Sequence, residues 1–229
     1  MNFADSRGKK VVLTNSATTP YPGGDPVAKD ASKVMQFRVS KSKVSDSSKV
    51  PVHLSSDVPT ASSMVAKAVK TRDITLSEIP DLTHPDPEAP NQYQPEPLLE
   101  GKSFTDPVDI TPKLGTTEVW RYVNTTGDMH PMHEHDVMNR IVARIPFDVA
   151  AYWRDEISGR LKNIEAYYTG KPRSPKANED GWKDTVQCPP GYVTEVVMTF
   201  SDYVGTYVLH CHILSHEEHD MMRPFEVLL

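Results

Sequence analysis

The sequence of 229 residues has few cysteines, no cluster of basic residues and no long apolar stretch. Two cysteines cannot build a disulfide framework. The 25 basic and 31 acidic residues argue against a nucleic-acid partner, because phosphate binding requires clustered Lys and Arg. No segment reaches the roughly 18 apolar residues that mark a membrane span, and the first ten residues lack the apolar core of a signal peptide. We therefore expect no membrane contact and a cytoplasmic or cell-associated location.

Proline is abundant, with 20 residues, and favours loops and edge strands over long helices. Short runs of β-forming residues recur after Gly101, so we predict an all-β sandwich domain over residues 101–229. The predicted strands are 116–123, 137–145, 182–187, 193–200, 206–210 and 224–229, and a short helix is predicted at 148–156.

The first hundred residues differ in composition from the predicted sandwich domain. Lys10–Thr14 and Val34–Val39 resemble two strands joined by a loop rich in Pro and Gly, which predicts a strand-bearing arm over residues 1–40. Residues 41–100 are rich in Ser, Lys, Asp and Pro, which predicts a long irregular connection. Helical spacing of apolar residues predicts one short helix near Ala61–Val69 inside it.

Two short segments concentrate the histidines, namely His130-Pro-Met-His-Glu-His135 and His210-Cys-His-Ile-Leu-Ser-His216. His53, His84 and His219 are isolated, and we interpret them as structural. Both segments should lie at strand ends or in adjoining loops, where a rigid sandwich can hold ligands from distant positions.

Alternation along a strand separates the ligands into two sets. His210 and His212 should project to one face of their strand and Cys211 to the other. Cys211, His216 and Met221, with His130 from the other segment, form the thiolate, two-imidazole and thioether donor set of a type 1 copper centre. Zinc also accepts Cys and His, but the methionine and the flanking histidine pair favour copper. The remaining histidines predict a second copper cluster; they are His133, His135, His210 and His212.

These motifs, together with Gly181-Trp-Lys-Asp-Thr-Val186 and His210-Cys-His through Met221-Met-Arg-Pro224, resemble the multicopper oxidases. The similarity is to the C-terminal cupredoxin domain of bacterial spore-coat laccases and bilirubin-oxidase-like enzymes. It implies a cupredoxin-like Greek-key sandwich, with Leu13–Ala17 and Val34–Val39 resembling the closing strands of a preceding domain. It also makes the spore coat an alternative location.

The resemblance implies a role for each ligand. Type 1 copper would be held by His130, Cys211, His216 and Met221, type 2 copper by His133, and the type 3 pair by His135, His210 and His212. Glu217 matches a carboxylate that assists proton delivery during O2 reduction. The implied reaction couples one-electron oxidation of phenols, aromatic amines or bilirubin-like compounds to reduction of O2 to water.

The resemblance also has gaps. Family members with three domains supply four further histidines from a first domain, and the sequence offers no equivalent pairs. Three alternatives follow: the chain is a fragment or split-gene subunit that needs an N-terminal partner, two copies pair their four-histidine faces, or only type 1 copper binds. In the last case the chain is an electron-transfer protein, a copper-binding coat component or an inactive remnant. A further departure is Glu134, followed by Asp136, which we interpret as facing solvent.

Overall fold

A computed structural model describes residues 2–52, 55, 57–85 and 93–229, so the isolated His53 lies outside the described residues. The chain divides into two compact units, Met1–Asp57 and Val58–Leu229. In the first unit, strands β1 (Lys10–Thr14) and β4 (Lys33–Arg38) pair antiparallel, with Lys10 opposite Arg38. A second, smaller pair joins β2 (Thr18–Thr19) to β3 (Asp25–Pro26). The two strands predicted for this part of the chain are therefore present and paired.

The second unit contains two β-sheets. The strands in chain order are β5 (Ala68–Pro85), β6 (Tyr93–Leu99), β7 (Thr117–Asn124), β8 (His130–Glu134), β9 (Asn139–Pro146), β10 (Thr185–Cys188), β11 (Tyr192–Thr199), β12 (Gly205–Cys211) and β13 (Met222–Val227). One sheet has the order β6-β5-β7-β11-β9 and the other β10-β8-β12-β13. All pairs are antiparallel except β5 with β7. This is the predicted all-β, cupredoxin-like sandwich.

Helices are short in this architecture. They are α1 (Ala61–Val65), α2 (Val149–Ile157) and α3 (Leu214–Glu217), with 3-10 turns at Ala4–Ser6 and Ile164–Tyr167. Asp148 caps α2 by accepting the Ala151 N–H at 2.9 Å, which satisfies a helix-terminal donor. Among the residues described, no helix is long and apolar enough to cross a membrane.

The predicted irregular connection over 41–100 is wrong for its second half. β5 and β6 are strands of the five-stranded sheet, and α1 precedes them. Ile74 and Leu76 alternate with polar residues and are buried, which is the period of a half-buried strand hidden in a polar composition. β6 carries Pro95 and Pro97, and an edge strand tolerates proline because one side of its backbone needs no partner.

A hydrophobic core lies in the second unit and includes Cys211, one of the predicted metal ligands. Trp120, Phe200 and Phe225 are fully buried and form ring contacts, with Trp120 and Phe225 edge-to-face at 5.6 Å between centroids. Burial of each such side chain contributes on the order of 1.5–3 kcal/mol. Met132 and Cys211 belong to the same buried cluster, so this cysteine is surrounded by core side chains.

A further strand, besides β5 and β6, is absent from the sequence prediction. β8 consists of the first histidine segment itself and lies between β10 and β12. Its register places His133 opposite His210 and Met132 opposite Cys211. Pairing of these two strands therefore brings the two histidine segments together.

Candidate metal centre

A buried group of three donors lies beside the contact between β8 and β12. His130 and Cys211 are fully buried, and His216 is partly buried in α3. Cys211 Sγ is 3.6 Å from His130 Nδ1 and 3.8 Å from His216 Nδ1, and the two nitrogens are 3.3 Å apart. The three predicted ligands therefore converge on one point.

These separations fit a single metal ion. With metal–nitrogen bonds of about 2.0 Å and a metal–sulfur bond of about 2.3 Å, a trigonal plane would separate the nitrogens by about 3.5 Å and sulfur from nitrogen by about 3.7 Å. The observed distances differ from these by no more than a few tenths of an ångström. A trigonal set of one thiolate and two imidazoles is the arrangement that copper takes in electron-transfer sites.

The ring of His130 is oriented by the partners of Nε2, the ring nitrogen that faces away from Cys211. Nε2 lies 2.7 Å from Thr126 Oγ1 and 3.4 Å from the Asp128 carboxylate, which leaves Nδ1 free to face Cys211. Burial lowers the pKa of His130 to about 4, against the opposing effect of Asp128. The imidazole is thus neutral at neutral pH and offers a lone pair, the form that a metal requires.

Carboxylates surround this histidine on its outer side. Glu78 lies 3.8 Å from His130 Nε2, and burial, with the neighbouring Asp128, raises the pKa of Glu78 to about 7. Glu78, Asp128, His130 and His216 form an alternative group of possible metal ligands. We favour the group with Cys211 for a soft metal, because the outer nitrogen of His130 is already engaged by Thr126.

Cys211 itself is a protonated thiol without metal. Burial raises its pKa to about 12. A metal cation must therefore displace the thiol proton, since the thiolate is the binding form.

Met221 is fixed next to this group by the end of the short helix. The Met221 N–H donates to the His216 carbonyl at 2.9 Å, and Asp220 between them has φ +69°. This left-handed residue and the returning hydrogen bond end the helix in the manner usually served by glycine. The Met221 carbonyl accepts the Cys211 N–H at 2.9 Å, and the Met221 side chain is fully buried in the same core cluster.

The second set of ligands forms a four-histidine face, consisting of His133, His135, His210 and His212. Ring centroids of neighbouring members lie 4.9–5.6 Å apart. His135 Nε2 and His210 Nε2 are 3.3 Å apart. His210 is buried, whereas His135 and His212 are exposed. The strand alternation predicted for residues 210–212 is confirmed, because Cys211 contacts the other group.

Backbone carbonyls orient two of these rings. His133 Nδ1 donates to the Asp184 carbonyl at 2.6 Å, and His210 Nδ1 donates to the Cys211 carbonyl at 3.0 Å. A hydrogen bond on one ring nitrogen fixes the tautomer and leaves Nε2 for a metal. His133, His135 and His210 bring their donor atoms within 4.8 Å of one another, a group that does not include His212.

Glu217 lies at the edge of this face. Its Oε2 is 3.3 Å from His210 Nδ1, yet it has no hydrogen-bond partner, because that nitrogen donates to the Cys211 carbonyl. The carboxylate thus keeps a free acceptor atom beside the histidines. This position suits the proton-delivering role that the family resemblance implies for Glu217.

The interpretation of Glu134 as facing solvent is wrong. Glu134 is 1% exposed, accepts the Tyr122 hydroxyl, and accepts the Asn139 side-chain amide at 2.8 Å. Burial raises its pKa to about 7, with its two donors opposing that shift. Alternation on β8 turns this residue inward, opposite to His133 and His135. Asp136 is partly buried rather than solvent-facing.

Sequence reasoning missed the groups that orient the ligands. Thr126 and Asp128 precede His130 by a few residues, and their spacing carries no recognisable motif. Asp184 lies in the Gly181–Val186 motif that contributed to the resemblance, but it acts through its backbone carbonyl, which side-chain reasoning does not detect.

The fold and the two groups of histidines define a cupredoxin-like sandwich with adjacent metal-ligand sets. A family model described as "Multicopper oxidase" matches residues 73–228. The chain belongs to the multicopper oxidase family, whose metal is copper.

Two relatives match nearly all of this chain. The chain is 38% identical to a laccase of Bacillus subtilis (strain 168) over 229 residues, covering 99% of this chain and 40% of that protein. It is 35% identical to multicopper oxidase LPR1 of Arabidopsis thaliana over 249 residues, covering 100% of this chain and 41% of the relative. The chain thus spans about two fifths of the length of these relatives.

A solved structure gives the same picture of the fold. The McoA multicopper oxidase of the hyperthermophile Aquifex aeolicus superposes with a TM-score of 0.65 at 23% identity, covering 100% of this chain and 43% of that one. At this identity the likeness supports the fold alone.

Proposed function

We propose that the chain is the part of a laccase-like copper oxidase that holds type 1 copper and half of a trinuclear cluster. The observation that carries the proposal is the convergence of Cys211, His130 and His216 on one point, with His216 held to Met221 by a backbone hydrogen bond. Bound copper would supply one-electron oxidation of an aromatic donor at this centre and O2 reduction at the cluster.

The polypeptide provides a covalent route between the two groups. Cys211 is joined by one peptide bond to His210 and by another to His212. His210 Nδ1 also donates to the Cys211 carbonyl, so a hydrogen bond links the imidazole ring to the cysteine backbone in addition to the peptide bond. An electron accepted at the buried site therefore has a short path to the four-histidine face.

Three side chains would support the two sites, two by orienting a metal ligand and one by transferring protons. Thr126 and Asp128 hold the outer nitrogen of His130, which directs Nδ1 toward Cys211. Glu217 would hold and release protons next to the four-histidine face, since water formation from O2 takes up protons.

The trinuclear cluster would need ligands from outside this sequence. Four histidines form the face, and the family resemblance implies eight around such a cluster. We propose that a second polypeptide segment completes it, either an N-terminal partner or another copy of this chain. A symmetric pair of copies would present the same patch twice.

The competing function is a type 1 electron-transfer protein without O2 chemistry. The buried group favours it, because Cys211, His130, His216 and Met221 all come from this chain, whereas His135 and His212 are exposed. Copper per chain and mass in solution separate the two functions. Two or more coppers per chain in an assembly support the oxidase, whereas one copper on a monomer supports the carrier.

A further inference from the structure

The loop Ser103–Asp109, called the strap here, is bonded to the segment that carries Met221. The strap is held by the side chains of Asp220 and Arg223, which we call its anchors. Phe104 and Val108 are 43% and 39% exposed, so the strap lies at the surface, whereas its anchor Arg223 is fully buried and its anchor Asp220 is partly buried. Met221, the proposed metal ligand, lies between these two anchors in the sequence.

Arg223 is the inner anchor. Its side chain is fully buried, and its guanidinium donates to the carbonyls of Ser103 at 2.6 Å, Asp106 at 3.2 Å and Pro107 at 2.8 Å. It also reaches the Asp109 carboxylate at 3.3 Å. A buried charge is stable only with such partners, so the guanidinium and the strap backbone fix each other.

Asp220 is the outer anchor. Its Oδ1 accepts the Phe104 N–H at 3.0 Å, and its backbone has φ +69°. A left-handed conformation is unfavourable for a non-glycine residue, because Cβ approaches the following carbonyl oxygen. The tether to Phe104 offsets part of this cost and holds Asp220 in the conformation that returns the Met221 N–H to His216.

We propose that the strap is a positioning device for Met221, with Asp220 and Arg223 as positioning residues. This inference rests on the proposed type 1 centre. Met221 is bonded through its own backbone to His216 and Cys211, so a shift of Asp220 changes where the thioether lies relative to the other ligands. An axial thioether tunes the potential of such a copper. A thioether held close to the copper stabilises the more highly charged, oxidised ion. Loosening Met221 weakens this stabilisation and should therefore raise the reduction potential.

Three substitutions test the tether. Asp220→Asn is the matched control, because Asn keeps the acceptor oxygen and tolerates a positive φ. Asp220→Gly removes the acceptor and relieves the backbone cost. Arg223→Lys loosens the other anchor while keeping its charge, with Asp220 intact.

The first readout needs no copper. In the metal-free full chain, hydrogen exchange of the Phe104 amide should be about fivefold faster in Asp220→Gly than in wild type, since one hydrogen bond contributes about 1 kcal/mol. Asp220→Asn should match wild type. The second readout is the visible Cu–thiolate band and the reduction potential of copper-loaded protein. Asp220→Gly and Arg223→Lys should both shift the band and raise the potential.

The outcomes separate this inference from the proposed function. Unchanged Phe104 exchange in Asp220→Gly would overturn the tether, and faster exchange with an unchanged band and potential would overturn its positioning role. A wild-type protein that lacks the Cu–thiolate band would instead overturn the type 1 proposal, whatever the exchange rates show.

Discussion

The buried group around Cys211 and the open four-histidine face use the same kind of ligand in opposite surroundings. Cys211 and His130 are fully buried, and His130 is held by partners from this chain. On the face, His135 and His212 are exposed, and His212 lies outside the closest donor group. Donors that are buried and oriented by one chain form a preorganised site. Exposed donors suit a site that a second segment covers.

The largest expected effect is at Cys211. Cys211→Ser should abolish the Cu–thiolate band and donor oxidation, because a hydroxyl does not replace the thiolate. Visible absorption and oxygen consumption measure the two losses. Cys188→Ser is the matched control, since Cys188 is also fully buried and its thiol, which donates to the Val186 carbonyl at 3.8 Å, does not belong to the Cys211 donor group. Survival of the band in Cys211→Ser would refute the type 1 assignment.

The next effect should be confined to the open face. His135→Ala should remove the cluster copper and O2 reduction while the Cu–thiolate band stays, because His135 is not part of the Cys211 group. Copper analysis with visible spectroscopy measures this. His219→Ala, also an exposed histidine, should change neither quantity. Loss of the visible band in His135→Ala would show that the two regions are not separate.

A smaller effect is expected at Glu217. Glu217→Gln should slow O2 reduction by about a hundredfold, near the lower end of what proton transfer by a side chain contributes. Reduction of the Cys211 copper by donor should be unchanged, because the carboxylate lies beside His210. Stopped-flow measurement of the two half-reactions tests this. Glu218→Gln is the neighbouring control, and equal slowing in both variants would contradict the role of Glu217.

The smallest effect concerns stability. Glu134 has a pKa of about 7 in the folded protein against 4.5 for the ordinary carboxyl, so the folded state binds the proton more tightly. The stabilisation that comes from this tighter proton binding is fully present below about pH 4.5 and is lost as the pH rises to about 7. The titration of Glu134 should remove about 2–3 kcal/mol of unfolding free energy from the metal-free protein between pH 5 and pH 8, apart from the loss due to Glu78, whose pKa is also raised to about 7.

Glu134→Gln should lack this contribution, because the amide does not titrate. Urea unfolding of both proteins at the two pH values measures the difference. The same pH dependence in wild type and variant would exclude Glu134 as its source.

The candidate ligands could be proposed from the sequence, whereas their orientation could not. Cys211 could be separated from His210 and His212 because a strand alternates its faces. The strand character of His130–Glu134 was missed, since a run dominated by histidine has little β-propensity. That error also misplaced Glu134, because recognising β8 as a strand would have turned this residue inward, away from His133 and His135.

The polar composition of residues 41–100 concealed β5 and β6. Ile74 and Leu76 give only a short alternating pattern, and the prolines of β6 suggest a loop unless its edge position is known. An edge position is a property of the assembled sheet and is not encoded in any local window.

The sequence by itself determined which atoms can bind metal and that one cysteine is covalently linked to two histidines, because both follow from residue type and chain order. Only the tertiary structure decided that His130 meets Cys211 across 81 positions and that Glu134 is buried with Tyr122. These contacts depend on the pairing of β8 with β12 and on the facing of two sheets. Such long-range pairing is set by the packing of the entire core, which no local pattern specifies.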